Sequence, residues 1–210
     1  MLIAEFLTVA LVHFLAVISP GPDFAVVLKQ SISHGRFIGI ITSIGVGTGI
    51  LIHIAYTLLG IGLIISQSVV VFSILKYLGA AYLLYIGFKA LKSKAVEHNE
   101  TETFTTSPQK AMTIKKAFLL GFVTNGLNPK ATLFFLSLFT VVLSPETPVY
   151  AQSIYGLYMA VATAILFSVM SIIFTTEPVR QQFYRIGHWF DRVMGAALIG
   201  LGLKLAVTEQ

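Results

Sequence analysis

Apolar residues in this chain run in long blocks without alternation, and each block is near or above the roughly 20 residues a helix needs to cross a bilayer. There are six such blocks, at about residues 2–28, 37–65, 69–91, 117–143, 150–176 and 188–207. Continuous runs predict helices, since barrel strands would alternate. Two blocks are interrupted, the first by Ser19-Pro20-Gly21-Pro22-Asp23 and the fourth by Asn128-Pro129-Lys130. Proline lacks an N–H and obstructs the turn before it, so ordinary helix stops at both places. Glycine at position 21 permits backbone angles that other residues avoid. At membrane depth, broken backbone is tolerated only where protein buries it or it lines a wet cavity. Asp23 and Lys130 stand just after the two breaks, and an ionisable residue at that depth is a candidate site residue.

Between the third and fourth blocks lies a polar segment, residues 92–110, rich in Lys, Glu, Thr and Ser. Nothing in it can build a core, and it reads as a linker. The halves on either side resemble each other. Aligning Pro22 with Pro129 sets Asp23 opposite Lys130, and the third and sixth blocks match independently: Lys76 and Gly79-Ala80-Ala81 with Arg192 and Gly195-Ala196-Ala197, then Gly87-Phe88-Lys89 with Gly202-Leu203-Lys204. Three blocks per half is an odd number, so duplicated halves cross the membrane in opposite senses. The expected fold is an all-α membrane protein of six transmembrane helices. Residues 1–91 form one three-helix repeat, 92–112 a polar cytoplasmic linker and 113–210 a second, inverted repeat, with the first helix of each broken at a proline motif. That is a secondary-transporter pattern, with substrate held at the repeat interface.

Composition supports the membrane assignment: of 210 residues, 56% are hydrophobic and 11% charged, too apolar for a soluble interior to hide. The net charge of +5 does not indicate nucleic acid, because the basic residues sit between apolar runs and form no patch interleaved with aromatics. They set orientation instead. Lys29, Arg36, Lys89, Lys92, Lys94, Lys110, Lys115, Lys116, Arg180, Arg185 and Arg192 fall on one side of a six-span arrangement, which places both termini outside the cytoplasm and the Glu146 turn in an outer loop. The first 18 residues lack the basic start of a signal peptide, carry Glu5, and read as a retained helix. The chain has no cysteine, so thiol chemistry is excluded, and no metal-ligand spacing occurs.

A free amino acid carries an ammonium and a carboxylate, and its site needs an acid or acceptor at one end and donors or a cation at the other. Asp23 and Lys130 supply one of each. Asn125 and Asn128 add amides about a turn apart, and the helix starts after Gly21-Pro22 and Pro129 offer positive dipole ends to a carboxylate. The alternative for Asp23 and Lys130 is a buried ion pair that only joins the repeats, and for Asn128 a helix cap. His13 and His53 are candidates for proton coupling or for neutral packing. Tyr56, Tyr82 and Tyr85 can edge a pore or anchor at the interface. The ladder Gly35, Gly39, Ser43, Gly47 permits close helix approach, within the chain or at a homodimer seam.

The runs Phe6-Leu7-Thr8-Val9-Ala10, His13, Ser19-Pro20-Gly21-Pro22-Asp23-Phe24, Gly121-Phe122-Val123-Thr124-Asn125 and Asn128-Pro129-Lys130-Ala131 together resemble the LysE/RhtB family of bacterial amino-acid exporters, over essentially the whole chain. The first segment is closest in character to the homoserine and threonine exporter branch. The resemblance implies a small multi-pass carrier of the bacterial inner membrane, without a cofactor, exporting threonine-like or other neutral amino acids at the expense of the proton gradient. Competition of substrate ammonium and proton for Asp23 is the simplest coupling. The alternatives are a passive channel and an intramembrane enzyme. For the latter, neither Ser19 nor Ser137 has an evident His and acid partner in sequence.

Overall fold

The computed structural model describes residues 2–19, 21–67, 112–144 and 146–176, together with part of 77–92 and of 188–207. Six helices are delimited: α1 Leu2–Ile18, α2 Pro22–His34, α3 Arg36–Gln67, α4 Ile114–Gly126, α5 Pro129–Val141 and α6 Val149–Ile173. No strand occurs among the described residues. The element order is the same in both halves: a short helix, a proline break, a second short helix, then a long one. The expected linker lies almost wholly outside the described residues, as does much of the third and sixth blocks, Tyr82 included. Where those two blocks are described they are helical and meet closely: a Cβ on Gly87 would lie 2.8 Å from the Gly195 carbonyl oxygen.

Both proline motifs stop a helix, as proline chemistry requires. Proline occupies the first position of α2 and of α5, where its missing N–H costs nothing. The axes of α1 and α2 differ by 54°. Gly35 ends α2 at φ 84°, the left-handed region that favours glycine, and nothing lies within 4 Å of its missing side chain. It is therefore a helix stop, not a rung of a packing ladder. The other three rungs pack inside the chain. A Cβ on Gly39 would overlap the hydroxyls of Ser31 and Ser171, Ser43 is fully buried, and a Cβ on Gly47 would lie 2.7 Å from the Ala160 carbonyl.

A second small-residue face on α3 seats α4. A Cβ on Gly45 would overlap the Phe118 carbonyl, one on Gly121 would overlap the Thr42 carbonyl, and Gly49 leaves room for the Asn125 side chain. Backbones approach this closely only where side chains are absent.

Among the described residues two spans, Arg36–Leu59 and Val149–Ile173, are long and apolar enough to cross a membrane as single helices, and α1 with α2 makes a third if the bent pair is one span. Their outward faces are as oily as their inward ones. On α6 the exposed residues Ile154, Leu157, Val161, Ile165, Val169 and Ile172 recur at three- and four-residue spacing. A surface of that size is suited to lipid and would be a liability in water. The chain is a multi-pass membrane protein.

Inside, two apolar clusters stand apart. One gathers Val9 and Val12 of α1, Phe135, Leu138 and Phe139 of α5, and Ala151, Tyr155 and Met159 of α6. Beyond it, Glu5 accepts hydrogen bonds from the Ser144 N–H and the Thr147 hydroxyl, tying the start of α1 to the α5–α6 turn at 3.0 Å. The other cluster gathers Phe24, Val27 and Leu28 of α2 with Val46, Phe167 and Phe174.

Candidate functional site

Between the two clusters the broken helices frame a partly open cavity, lined by His13, Ser19, Gly21, Asp23, Asn125, Asn128, Lys130 and Thr163 among apolar neighbours. Asn125 is in the last turn of α4 and Asn128 just before α5, so the break turns both amides toward the start of α2. The Nδ2 atoms of Asn125 and Asn128 each donate to Asp23 Oδ2 at 2.9 Å. Asn128 also caps α5, its Oδ1 accepting from the Lys130 N–H at 3.0 Å. The expected cap is present, and the other end of the same side chain holds Asp23.

Lys130 and Asp23 share the cavity but do not form their hydrogen bonds with each other. The Lys130 ammonium donates to the Ser19 hydroxyl at 3.2 Å and to its carbonyl at 3.4 Å, while the asparagines serve Asp23. The two charges face the same cavity, with the lysine seated on the Ser19 oxygens. The physical reason is local: the break leaves the Ser19 oxygens beside Lys130, and two neutral amides stabilise a carboxylate without a second buried charge. Gly21 faces the lysine, with Lys130 Nζ 3.4 Å from where a Cβ would stand. Its backbone is extended (φ −172°, ψ −175°), a conformation any residue adopts, so special angles are not its role.

Two acceptors at this site are left over. Asp23 Oδ1 and Asn125 Oδ1 are buried and have no hydrogen-bond partner among the described residues. Buried polar atoms without partners are rare and call for an explanation. Both residues line the cavity together with Lys130.

The two histidines differ. His13 lines the cavity, with Nε2 2.9 Å from the Thr163 hydroxyl. His53 does not line it. It lies behind Asn125, with Nε2 2.9 Å from the Asn125 carbonyl oxygen, Nδ1 2.8 Å from the Tyr56 hydroxyl, and its ring stacked on Phe135. A carbonyl only accepts, so His53 Nε2 carries a hydrogen and holds the asparagine backbone in place. Tyr56 belongs to that support rather than to a pore edge, whereas Tyr85 is exposed.

Thr163, Phe134 and Phe167 are lining residues that sequence reasoning did not find. Nothing in the sequence distinguishes Thr163 from the other hydroxyls of α6. Pro22 and Pro129 shape the site by starting helices. Ser19 Oγ accepts from the Lys130 ammonium, and among the described residues no cluster suited to a metal ion occurs.

The LysE type translocator family matches residues 14–209. The threonine efflux protein of Escherichia coli K12 is 31% identical, covering 97% of this chain and 98% of its own. The threonine efflux protein of Salmonella typhi is 29% identical over 97% of this chain and 98% of its own. An uncharacterised membrane protein of Bacillus subtilis is 27% identical over 91% of this chain and 93% of its own. No solved structure matches significantly. The chain belongs to the LysE type translocators and is a membrane transporter rather than an enzyme.

Proposed function

We propose that the cavity binds a free amino acid and that the protein exports it across the bacterial inner membrane. The observation that carries this reading is that Asp23 and Asn125, each with a buried oxygen that has no hydrogen-bond partner among the described residues, line one cavity with Lys130. An α-ammonium brings three donors to those acceptors. An α-carboxylate brings acceptors to Lys130 and to the first turn of α2 or α5. Asn128 holds Asp23 in register for the ammonium. Relatives named for threonine efflux favour a small neutral amino acid as substrate.

Coupling to protons follows from the same carboxylate: ammonium and proton compete for Asp23, so that export of one accompanies entry of the other. His53 then acts as a positioning residue for Asn125. Two apolar clusters flanking the cavity favour a carrier that opens one side at a time over a channel, which would need a continuous polar path. The two halves, 1–91 and 113–210, act as inverted repeats that rock about the breaks, with both termini periplasmic.

The test is accumulation of labelled amino acids in inverted membrane vesicles carrying a proton gradient. Gradient-dependent uptake of a neutral amino acid, with counterflow after preloading, is the expected result. Dissipative flux without counterflow would establish a channel, and no flux of any amino acid would end this reading.

A further inference from the structure

The wall of the cavity away from the breaks is apolar except at one place. Ile50, Phe134, Phe135 and Phe167 line it, and among them stand His13 and Thr163. His13 is 2% exposed, and its ring lies 6.4 Å from that of Phe134 and 6.3 Å from that of Tyr158. Nε2 is engaged by Thr163, but Nδ1 is buried without a hydrogen-bond partner among the described residues. Along α1, His13 precedes Ser19 by six residues, about 9 Å of helix rise. That is about the length of a small amino acid with a hydrogen bond at each end.

We propose that His13 is a specificity-determining residue whose Nδ1 hydrogen-bonds a hydroxyl or amide on the side chain of the transported amino acid. This rests on the reading of the cavity as an amino-acid site. The zwitterionic head engages Asp23, Asn125 and Lys130, which directs the side chain to the remaining wall. A basic side chain finds no acid there, because Asp23 is the one acid among the described lining residues. An acidic one finds no ammonium besides Lys130, which the head already uses. A purely apolar one leaves Nδ1 unmet, and a large one meets the Phe134, Phe135 and Phe167 rings. A small neutral side chain with a hydrogen-bonding group fits on every count. Thr163 makes the partner adaptable: its hydroxyl can accept from Nε2–H or donate to a bare Nε2, so Nδ1 can meet a substrate hydroxyl as acceptor or as donor. Sites that bind a substrate hydroxyl discriminate strongly against the analogue lacking it, because the buried group is then left unpaired.

Threonine and valine have the same shape and differ in one hydroxyl, so their ratio of uptake into inverted vesicles isolates this contact. The ratio does not depend on how much protein reaches the membrane. We expect wild type to favour threonine by tenfold or more and His13→Phe, which keeps a ring between Phe134 and Tyr158, to bring the ratio within about threefold of unity. His13→Leu provides the same readout with a smaller side chain should phenylalanine crowd the cavity. Serine against 2-aminobutyrate, a second pair differing by a hydroxyl, should follow the same pattern. An unchanged ratio in both variants, or a wild type indifferent to the hydroxyl, would overturn the role of His13 while leaving the amino-acid reading intact. A wild type that moves no amino acid would defeat both.

Discussion

Asp23 takes two amide hydrogens on one oxygen and none on the other, an asymmetry with consequences for substitution. Asp23→Asn can keep both asparagine contacts through its carbonyl while losing the charge. It should melt within a few degrees of wild type in detergent and show no proton-driven uptake, since an amide neither attracts ammonium nor carries a proton at neutral pH. Full gradient-dependent uptake by this variant would remove Asp23 from the coupling mechanism. Asn128 has more structural work. Asn128→Ala loses the α5 cap, about 1 kcal/mol, and a hydrogen bond to a charged group, roughly 1.5–3 kcal/mol. Asn128→Asp keeps the cap but sets a second carboxylate beside the first, and should inactivate with the greater melting loss at neutral pH. Because asparagines rather than Lys130 hold the Asp23 carboxylate, a double-mutant cycle in melting should couple Asp23 more strongly to Asn128 than to Lys130. The reverse order would mean that the ion pair, not the amide pair, sets stability.

Helices here are arranged by what interrupts them and by what they lack. Restoring an N–H with Pro22→Ala or Pro129→Ala lets helix grow across the break. Such variants should express and melt close to wild type yet lose most uptake, because the amides that meet at Asp23 depend on the break. Undiminished uptake by both would show that the breaks are mere kinks. The α3–α4 crossing is a separate test. Gly121→Val places branched carbons against the Thr42 carbonyl and should destabilise by several kcal/mol, as overpacking against rigid backbone does. Gly35→Ala meets open space and suffers only the strain of φ 84°, ψ 164°, on the order of 1–3 kcal/mol. An undiminished melting temperature in Gly121→Val would contradict the close α3–α4 approach.

For the whole molecule, the distribution of charge predicts its sense across the bilayer. Excess basic residues flank one set of loops, and the positive-inside tendency then puts the Glu146 turn outside. The chain has no cysteine, so single cysteines report cleanly. In whole cells an impermeant maleimide should label Glu146→Cys and spare Glu100→Cys, and the opposite pattern would invert the topology. The Glu146 turn also adjoins the Glu5 contacts with Ser144 and Thr147, which tie the start of α1 to this turn.

Much of this was determined by the sequence alone, and the reasons are local. A proline stops a helix wherever it stands, so the starts of α2 and α5 follow from Pro22 and Pro129. Long uncharged runs require lipid whatever their partners, and a charge beside a break requires a cavity, which marked Asp23 and Lys130. Which atoms meet across more than a hundred residues is set by packing, and that only the tertiary structure decided. It gave Asp23 to two asparagines instead of Lys130, withdrew His53 behind the wall, and brought Thr163 to His13. It also exposed the second glycine face of α3, since close approach depends on which neighbour arrives and a helix presents every face equally until one does.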